Sequence, residues 1–526
     1  MRDLTAIPVR DLIHRSPRLL ADALTGLAAA AAAVGAGELV AAYTGPTGAP
    51  VTAVGSAAID LTPTPLKEYA VRSFGTEDKT VLLLGIYLTM AALAALAGLL
   101  AARRPVLGAG VMLAFGGLGA WAALSRSTAT AVDALPSVVA ALVGAGTLLV
   151  LARARLRTRA ADGPPPPGPS RRTVLAATGA TLLVGAGAGL GGRALADRRY
   201  DVSAARRAVR LPAPAVPAPP LPAGAGENLP GLSAFRTANQ DFYRVDTALT
   251  LPRIDPRDWS LRVHGLVDRP LLLSFEDLLR RPLTELDYTL SCVSNEVGGP
   301  YVGTARWLGA PLADLLRQAG VRSGADQLVG RSKDGMTIGT PLDAVLDGRS
   351  ALLAVAMNGE PLPVAHGFPC RSLVPGFYGY TSATKWLVDL EVTTFAAYDP
   401  YWVRRGWDRT GAVKTASRIE VPAPFARVPA GSVTVAGTAW ATHRGIAAVE
   451  LRVDGGPWQP ARLAADAGPD LWRQWTYTWA GATPGTHHLE VRATDGTGAV
   501  QPEARTPPFP AGAAGWHSTV VTVLAN

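Results

Sequence analysis

The sequence predicts a three-part, multidomain protein: an N-terminal α-helical membrane region, a central α+β domain and a C-terminal immunoglobulin-like β-sandwich. Five apolar runs, each near the roughly 20 residues that a spanning helix needs, lie in the first 200 residues. Mixed helical and strand patterns follow, and from about residue 423 short strand-like runs alternate with Gly and Asp turns. Hydrophobic residues make up 48% of the 526 residues and charged residues only 17%, which fits a chain that lies partly in lipid.

The five apolar runs lie at about 19–43, 80–102, 105–125, 133–152 and 173–191, and they are rich in Ala, Gly and Leu, which suits close helix packing in lipid. Basic residues are concentrated in every second one of the segments that flank or connect the apolar runs. The rich flanks hold Arg2, Arg10, Arg15 and Arg18, then Arg103 and Arg104, then Arg153, Arg155, Arg157, Arg159, Arg171 and Arg172, whereas the other loops hold only Lys67, Arg72, Lys79 and Arg126. The positive-inside rule therefore predicts a multi-pass protein of the cell membrane, with its N-terminus in the cytoplasm and residues after about 195 outside.

The fifth run begins with the stretch SRRTVLAATGATLLVGAGAGL from Ser170. Arg171 and Arg172 before a modest apolar stretch resemble a twin-arginine export signal. Ordinary positive-inside flanking is the alternative interpretation of the same pair. The export interpretation predicts that the downstream domain crosses the membrane already folded, as a cofactor inserted in the cytoplasm would require.

The pattern divides the chain into four segments: a membrane region of about five transmembrane helices at 1–200, a linker at 201–230, an α+β domain at 231–422 and an immunoglobulin-like domain at 423–526. The linker contains LPAPAVPAPPLPAGAG, which predicts an extended, semi-rigid spacer that holds a soluble domain off the membrane. Within the central domain, 259–267 and 384–392 have strand patterns, and 274–281 and 310–321 have helical patterns.

Composition excludes several classes of site. Two cysteines, Cys292 and Cys370, are too few for a disulfide-rich scaffold or a four-cysteine zinc site, and no C-x-x-C-H motif for covalent haem occurs. His14 is the only histidine before residue 264 and precedes the first span, so the sequence predicts no haem with two histidine ligands among the helices. The net charge of +9 arises largely from arginines that flank apolar runs, so it does not indicate nucleic-acid binding.

Cys292 lies in LSCVSNEVGG, between a β-type run and a loop that contains Gly298 and Gly299. A disulfide to Cys370 and a buried filler thiol are two interpretations. The third is a metal ligand, because a thiolate at a strand end, with glycines beside it, can approach a transition metal closely. No nearby histidine completes a zinc site, so a single protein thiolate is useful where a cofactor brings the other ligands.

Two further clusters accompany the cysteine. HGFPCRSLVPGFYGYTSATKWL at 366–387 contains His366, Arg371 and Lys385 among glycines and prolines. Such donors suit a phosphate or polyanionic cofactor, although a solvated loop with a structural histidine is the simpler interpretation. In NQDFYRVDT at 239–247, Arg244 lies beside two aromatic residues, and taken alone this stretch is an ordinary approach to a strand.

Together, in this order and spacing, the three clusters resemble the sulfite oxidase family of molybdopterin-dependent oxidoreductases. That family has an F-x-R segment, a molybdenum-ligating cysteine and an H-G-x-P-x-R…V-P-G…G…K-W-L block. The block corresponds here to His366, Gly367, Pro369, Arg371, Val374, Pro375, Gly376, Gly379, Lys385, Trp386 and Leu387. The stretches TARWLGAPLADLL and VELRVDGGPWQPARL also match, the second within the family's C-terminal immunoglobulin-like dimerisation domain. The resemblance covers about 231–526 and leaves out the membrane region.

The resemblance implies a molybdenum–molybdopterin cofactor and a role for each matching residue. Cys292 would be the thiolate ligand of the metal and, with Arg244, the catalytic pair. The cofactor-binding set would be His366, Arg371, Lys385 and the Thr384 backbone, with Phe242, Tyr243 and Arg244 at the cofactor or substrate opening and Asn239 and Ser332 as weaker contacts. Cys370 would be a bystander.

The implied activity is two-electron oxo transfer, either oxidation of sulfite or reduction of a sulfoxide or another oxidised substrate. A cationic pocket would attract an oxyanion. A separate cytochrome or quinone-linked carrier would exchange the electrons, and the chain would be a homodimer or a monomer. A different class is an exported binding module that kept the fold and lost the cofactor.

One departure bears on the substrate. The family usually has an arginine just after its C-x-x-N, whereas CVSNEVGG has Glu296 and Val297 there. One cation of the sulfite pocket is therefore missing; Arg244 remains, and Arg404 and Arg405 could contribute. In the alternative interpretation, Glu296 pairs with a cation and is structural.

Overall fold

The computed structural model describes residues 9–63, 66, 69, 73, 74, 77–126, 129–159 and 170–525. It divides the chain into two compact units: Met1–Asp201 with Thr247–Leu251, and Val202–Asp246 with Pro252–Asn526. Three basic residues of the orientation argument, Arg2, Lys67 and Arg72, lie outside the described residues.

The first unit is helical. Its elements are α1 Val9–Thr44, α2 Pro50–Leu61, α3 Asp78–Ala101, α4 Pro105–Leu124, α5 Leu135–Arg159 and α6 Arg171–Arg199, with 3-10 turns at Pro46–Gly48 and Ala131–Ala134. The stretches Arg18–Thr44, Lys79–Ala101, Pro105–Leu124, Ala131–Thr158 and Arg171–Ala208 are long and apolar enough to cross a membrane. The five predicted apolar runs are thus confirmed as helices. Helix α2 was not predicted, and its 12 residues are too few to span.

Small residues bring the helices of this unit close together, as their composition predicts. A Cβ atom on Gly26 of α1 would lie 1.9 Å from the carbonyl oxygen of Ala94 on α3, so no larger residue fits there. Two buried acids of α1 are neutralised by arginines: Arg155 Nε donates to Asp22 at 3.0 Å, and Arg193 donates to Glu38 at 3.1 Å. These pairs compensate charges that would be costly in lipid.

The second unit contains five short helices and all the strands of the described residues. Its helices are α7 Ser203–Ala208, α8 Phe275–Leu279, α9 Leu312–Ala319, α10 Leu342–Leu346 and α11 Gly379–Ser382, with 3-10 turns at Val364–His366 and Val403–Arg405. Its central strands are β1 Ser260–Gly265, β2 Leu271–Ser274, β3 Thr284–Ser291, β4 Val302–Pro311, β5 Gln327–Ser332, β6 Thr337–Pro341, β7 Leu352–Met357, β8 Glu360–Pro361, β9 Arg371–Leu373 and β10 Leu387–Thr393. The strand and helix patterns predicted for this α+β domain are present.

Two sheets form the central part. One has the order β2-β1-β10-β5-β6, and the other has the order β3-β4-β7-β8, with β9 paired to β7. In the second sheet, Trp307 of β4 and Arg371 of β9 are both buried, and Cys292 follows β3 directly. This sheet therefore carries the candidate site.

The C-terminal part is a sandwich of two sheets, ordered β11-β13-β17-β16 and β12-β19-β18-β14-β15. Its strands are β11 Ala416–Val421, β12 Arg427–Pro429, β13 Gly431–Trp440, β14 Ile446–Val453, β15 Gln459–Pro460, β16 Arg462–Leu463, β17 Arg473–Ala482, β18 Gly485–Asp495 and β19 His517–Leu524. A core that includes Trp475, Leu451 and Val491 lies between the sheets. Strand β11 begins before residue 423, where the sequence analysis placed the boundary, because β11 pairs with β13.

The Pro/Ala-rich segment lies along the second unit. Ala215 N–H donates to Leu283 O at 2.8 Å, and Glu227 N–H donates to the Gln474 side chain at 2.6 Å. The side chain of Ala225 is buried. Proline removes backbone donors and favours extended backbone, and other residues of this unit accept hydrogen bonds from the N–H groups of Ala215 and Glu227.

Candidate active site

Cys292 lies where β3 ends, after five consecutive buried residues of that strand. Its N–H donates to Tyr301 O at 2.9 Å, and its carbonyl accepts from Asn295 N–H at 3.1 Å, so both sides of the turn are fixed. Cys292 is free, and the residue as a whole is partly exposed. Burial raises the pKa of this thiol, whereas the N–H and hydroxyl of Ser294 and the charge of Lys385 act in the opposite direction.

The loop after the cysteine is held by the immunoglobulin-like part of the same unit. Arg418 donates to Gly299 O at 2.9 Å. Gly298 has a φ of +79°, and a Cβ there would lie 2.2 Å from the ring of His517. Sequence patterns did not indicate this contact, because His517 and Arg418 lie far along the chain in strands of another fold element.

We expect Gly298→Ala to be more destabilising than Gly324→Ala. Both glycines have positive φ, but a Cβ on Gly324 would meet nothing within 4 Å. Gly324→Ala should lower the free energy of unfolding by about 1–2 kcal/mol through backbone strain alone. Gly298→Ala should cost a further 1–3 kcal/mol or so, because the imidazole must move. Chemical denaturation measures both values. Equal losses in the two variants, or an unchanged excess in the His517→Ala background, would contradict the contact.

Arg371 is the most deeply buried cation of the site. Its guanidinium lies 5.1 Å from the centre of the Trp307 ring, and Nη1 donates to His366 O at 3.2 Å. Burial lowers its pKa to about 10. Among the described residues, neither its Nε nor the indole nitrogen of Trp307 has a hydrogen-bond partner. Two unsatisfied buried donors are costly unless a ligand accepts from them.

His366 lies beside Arg371 and is neutral at ordinary pH. Burial, and then the charge of Arg371, lower the pKa of its imidazole to about 4. Its Nε2 is 3.2 Å from Asn239 O, which fixes the ring, and Phe242 packs edge-on against it at 5.6 Å between ring centres. The neutral ring can therefore donate or accept a hydrogen bond without adding charge to the site.

Lys385 and Arg244 converge on one carboxylate. Lys385 Nζ donates to Asp246 Oδ2 at 2.9 Å, and Arg244 Nε donates to the same oxygen at 2.7 Å. Burial lowers the pKa of Lys385 to about 8, although Asp246 acts against that shift. Asp246 was not predicted as a site residue, although its position two residues after Arg244 was a usable signal.

Aromatic rings form one wall of the site. Tyr243 stacks on Phe242 with 5.3 Å between ring centres, and Phe242 meets Trp307 edge-on at 5.9 Å. Burial, followed by the proximity of Cys292, raises the pKa of the Tyr243 hydroxyl well above its usual value. The structure thus brings Tyr243, Cys292 and Arg371 within electrostatic range of one another.

Three predicted contacts are engaged by protein groups. The Asn239 amide donates to Met357 O at 3.2 Å and also bonds to Glu360, and so ties its segment to β7 and β8. Thr384 N–H donates to Ser372 Oγ at 2.9 Å, and Thr384 O accepts from Ser372 N–H at 3.1 Å. Ser332 Oγ accepts from a backbone N–H at 3.5 Å.

The other residues considered from the sequence are Glu296, Arg404, Arg405 and Cys370. Glu296 is exposed. Arg404 lies over the Tyr398 ring at 5.9 Å, and Arg405 lies over the Tyr401 ring at 3.5 Å. Cys370 is fully buried and free, so the structure does not contain the disulfide considered from sequence.

The sequence of this chain is similar to known protein families and to individual oxidoreductases. Residues 248–402 match the family described as "Oxidoreductase molybdopterin binding domain", and residues 417–491 match "Bacterial Ig domain". The chain is 37% identical over 161 residues to the uncharacterized oxidoreductase YuiH of Bacillus subtilis (strain 168), covering 30% of this chain and 76% of that protein. It is 32% identical over 321 residues to sulfite oxidase of Gallus gallus, covering 52% of this chain and 69% of that enzyme.

This chain belongs to the sulfite oxidase family. Mitochondrial sulfite oxidase of Mus musculus is also similar, with 34% identity over 277 residues, or 44% of this chain. The chain spans 50% of the length of that mouse enzyme. The predicted family, the fold class and the assignment as a molybdenum-dependent oxidoreductase are confirmed.

The residues present fit the molybdenum cofactor of the sulfite oxidase family. A free thiol at a strand end suits a soft metal, and Ser294 stabilises its ionised form. Arg371 Nε and Trp307 Nε1 have no hydrogen-bond partner among the described residues, and a pterin and its phosphate carry several acceptors for them. Lys385 and Arg244 add positive charge at the same opening.

Proposed function

We propose that this chain is a membrane-anchored oxidoreductase that adds or removes one substrate oxygen atom together with two electrons at a molybdenum ligated by Cys292. The observation that carries the proposal is a free thiol together with buried, unsatisfied donors of Arg371 and Trp307, with Cys292 and Arg371 both close to Tyr243. A binding module that had lost its cofactor would have little reason to keep a buried guanidinium with an unused nitrogen.

When bound, the molybdenum cofactor supplies the oxo-transfer and redox chemistry. The chain's residues hold it and set the charge around it. Cys292 provides one thiolate, whose negative charge is stabilised by the Ser294 hydroxyl and N–H. Arg371, Lys385 and His366 hold the pterin and its phosphate, with Ser332, Thr384 and Asn239 shaping the surrounding backbone.

Phe242, Tyr243 and Arg244 border the substrate opening. The raised pKa of Tyr243 keeps its hydroxyl protonated at neutral pH, so it can donate a hydrogen bond to a substrate oxygen. Arg244, fixed by Asp246, orients a polar substrate beside it. The aromatic wall of Phe242 and Trp307 limits water in this region.

The membrane helices serve as a multi-pass anchor, and the positive-inside rule places the catalytic unit outside the cell membrane. Arg171 and Arg172 at the start of α6 act as a twin-arginine signal for that orientation. Electrons are exchanged with a separate carrier such as a cytochrome or quinone-linked protein, because residues 15–263 contain no histidine to ligate haem. The immunoglobulin-like part supports a homodimer.

Metal analysis of the full chain, purified in detergent from cells that make the cofactor, tests this function. We expect about one molybdenum and one pterin per chain, and turnover of sulfite with ferricyanide or of dimethyl sulfoxide with a reduced viologen. A folded chain without molybdenum from cells whose other molybdenum enzymes are loaded would refute the proposal.

A further inference from the structure

Asp246 changes the charge of the substrate opening. Its carboxylate is almost completely buried, with 5% of the side chain exposed, and it forms ion pairs with Arg244 at 2.7 Å and Lys385 at 2.9 Å. A second carboxyl, that of Asp334, lies close enough for its pKa to be raised by Asp246 after the larger effect of burial. Asp246 therefore offsets part of the positive charge that Arg244 and Lys385 bring to this region.

Asp246 reduces the positive charge that could attract a dianion. Arg244, Lys385 and Arg371 carry three positive charges, and His366 is neutral. Asp246 and the Cys292 thiolate of the loaded enzyme bring two negative charges. The phosphate of a bound cofactor would lower the positive charge further.

We propose that Asp246 is a specificity-determining residue that makes this site prefer a neutral oxidised substrate, such as a sulfoxide or N-oxide, over a dianionic oxyanion. The inference rests on the proposed function and names its substrate class. The Asp246 carboxylate offsets the positive charge of Arg244 and Lys385 and so weakens their attraction for a dianion, whereas a dipolar oxygen still accepts a hydrogen bond from Tyr243.

The reaction of a neutral substrate balances without any further reagent class. The S–O bond breaks, two electrons arrive one at a time from the separate carrier, and two protons from solvent convert the released oxygen to water. The sulfide product is neutral, so it leaves the site without a charge penalty.

The test compares Asp246→Asn with the unchanged chain, both as loaded full-length protein in detergent. The control is Asp314→Asn, which removes the same charge from an exposed pair with Arg317 on α9. Calorimetry at constant ionic strength measures the Kd of sulfate, and steady-state assays give kcat/KM for sulfite and for dimethyl sulfoxide. We expect Asp246→Asn to bind sulfate at least about 10-fold more tightly and to raise the sulfite-to-sulfoxide ratio of kcat/KM by a similar factor.

Asp246→Glu, which keeps the charge, should retain the original preference, and Asp314→Asn should change neither quantity. An unchanged sulfate Kd and an unchanged kcat/KM ratio in Asp246→Asn would overturn the inference. Loss of molybdenum from Asp246→Asn alone would overturn it too, since Asp246 would then act by positioning Lys385 and Arg244. Lack of molybdenum in every variant, including the unchanged chain, would instead refute the proposed function.

Discussion

Replacing Cys292 by serine should lower kcat for sulfite or dimethyl sulfoxide by more than about 100-fold. The protein is made in cells that supply the cofactor in excess. Replacing a residue that only hydrogen-bonds to a metal ligand already lowers metal affinity or activity by roughly 10- to 100-fold, and Cys292 would be a direct ligand. A serine presents a hard oxygen in place of a soft sulfur, so it does not reproduce the metal–thiolate bond. The spectroscopic signature of the one-electron-reduced metal should also change, because the ligand sulfur is gone.

Cys370→Ala is the matched control for the loss of a thiol. Cys370 is fully buried, and burial alone raises its pKa, so it is an unreactive filler. Its removal should cost about 1–2 kcal/mol of stability and leave molybdenum content and spectrum unchanged. A Cys292→Ser protein with full activity and an unaltered metal signal would show that the metal is held by other residues.

Arg371→Met should separate cofactor binding from folding. We expect retained molybdenum and pterin to fall by about 10- to 100-fold, because the variant loses a buried cation and its unsatisfied Nε. In cofactor-free protein, the free energy of unfolding should change by no more than about 2 kcal/mol. The lost contact with Trp307 and the relief of burying a charge nearly offset each other.

Arg306→Met provides the opposite pattern. Arg306 donates to Asp287 at 2.7 Å, and Asp287 is largely buried, so the variant should lose about 1–3 kcal/mol of stability. Its cofactor content per folded chain should be unchanged. Metal analysis and thermal unfolding, each with and without cofactor, measure both effects. If Arg371→Met retained its cofactor but unfolded like Arg306→Met, Arg371 would be a structural residue only.

Local sequence patterns predicted most of the fold. Each apolar run of spanning length became a helix, because burying backbone polar groups in lipid leaves few alternatives to one. Helix α8 begins where Ser274 precedes an apolar pattern, and its hydroxyl accepts from Asp277 N–H at 3.1 Å, as a helix cap does. Helix α2 was missed because its short apolar stretch matches neither a spanning helix nor a strand repeat.

The sequence predicted the thiol and the basic residues of the candidate site, but it did not predict the acidic residue that offsets their charge. Cys292, His366, Arg371 and Lys385 were found because their residue types and spacing resemble a family block. Asp246 was not found, because its role depends on an ion pair with Lys385, which is 139 residues away in the sequence. The support of the cysteine loop by Arg418 spans 119 residues and follows from the packing of a second domain.

The sequence by itself determined the membrane helices, the strand-rich domains and the donors of the site, because hydropathy, periodicity and side-chain chemistry are local properties. Only the tertiary structure decided which donors are free. It engaged the Thr384 backbone with Ser372, left Arg371 Nε unsatisfied, and set Asp246 between two cations. Hydrogen bonds and ion pairs of this kind join segments far apart in the chain, so their partners are fixed when the sheets and loops pack together.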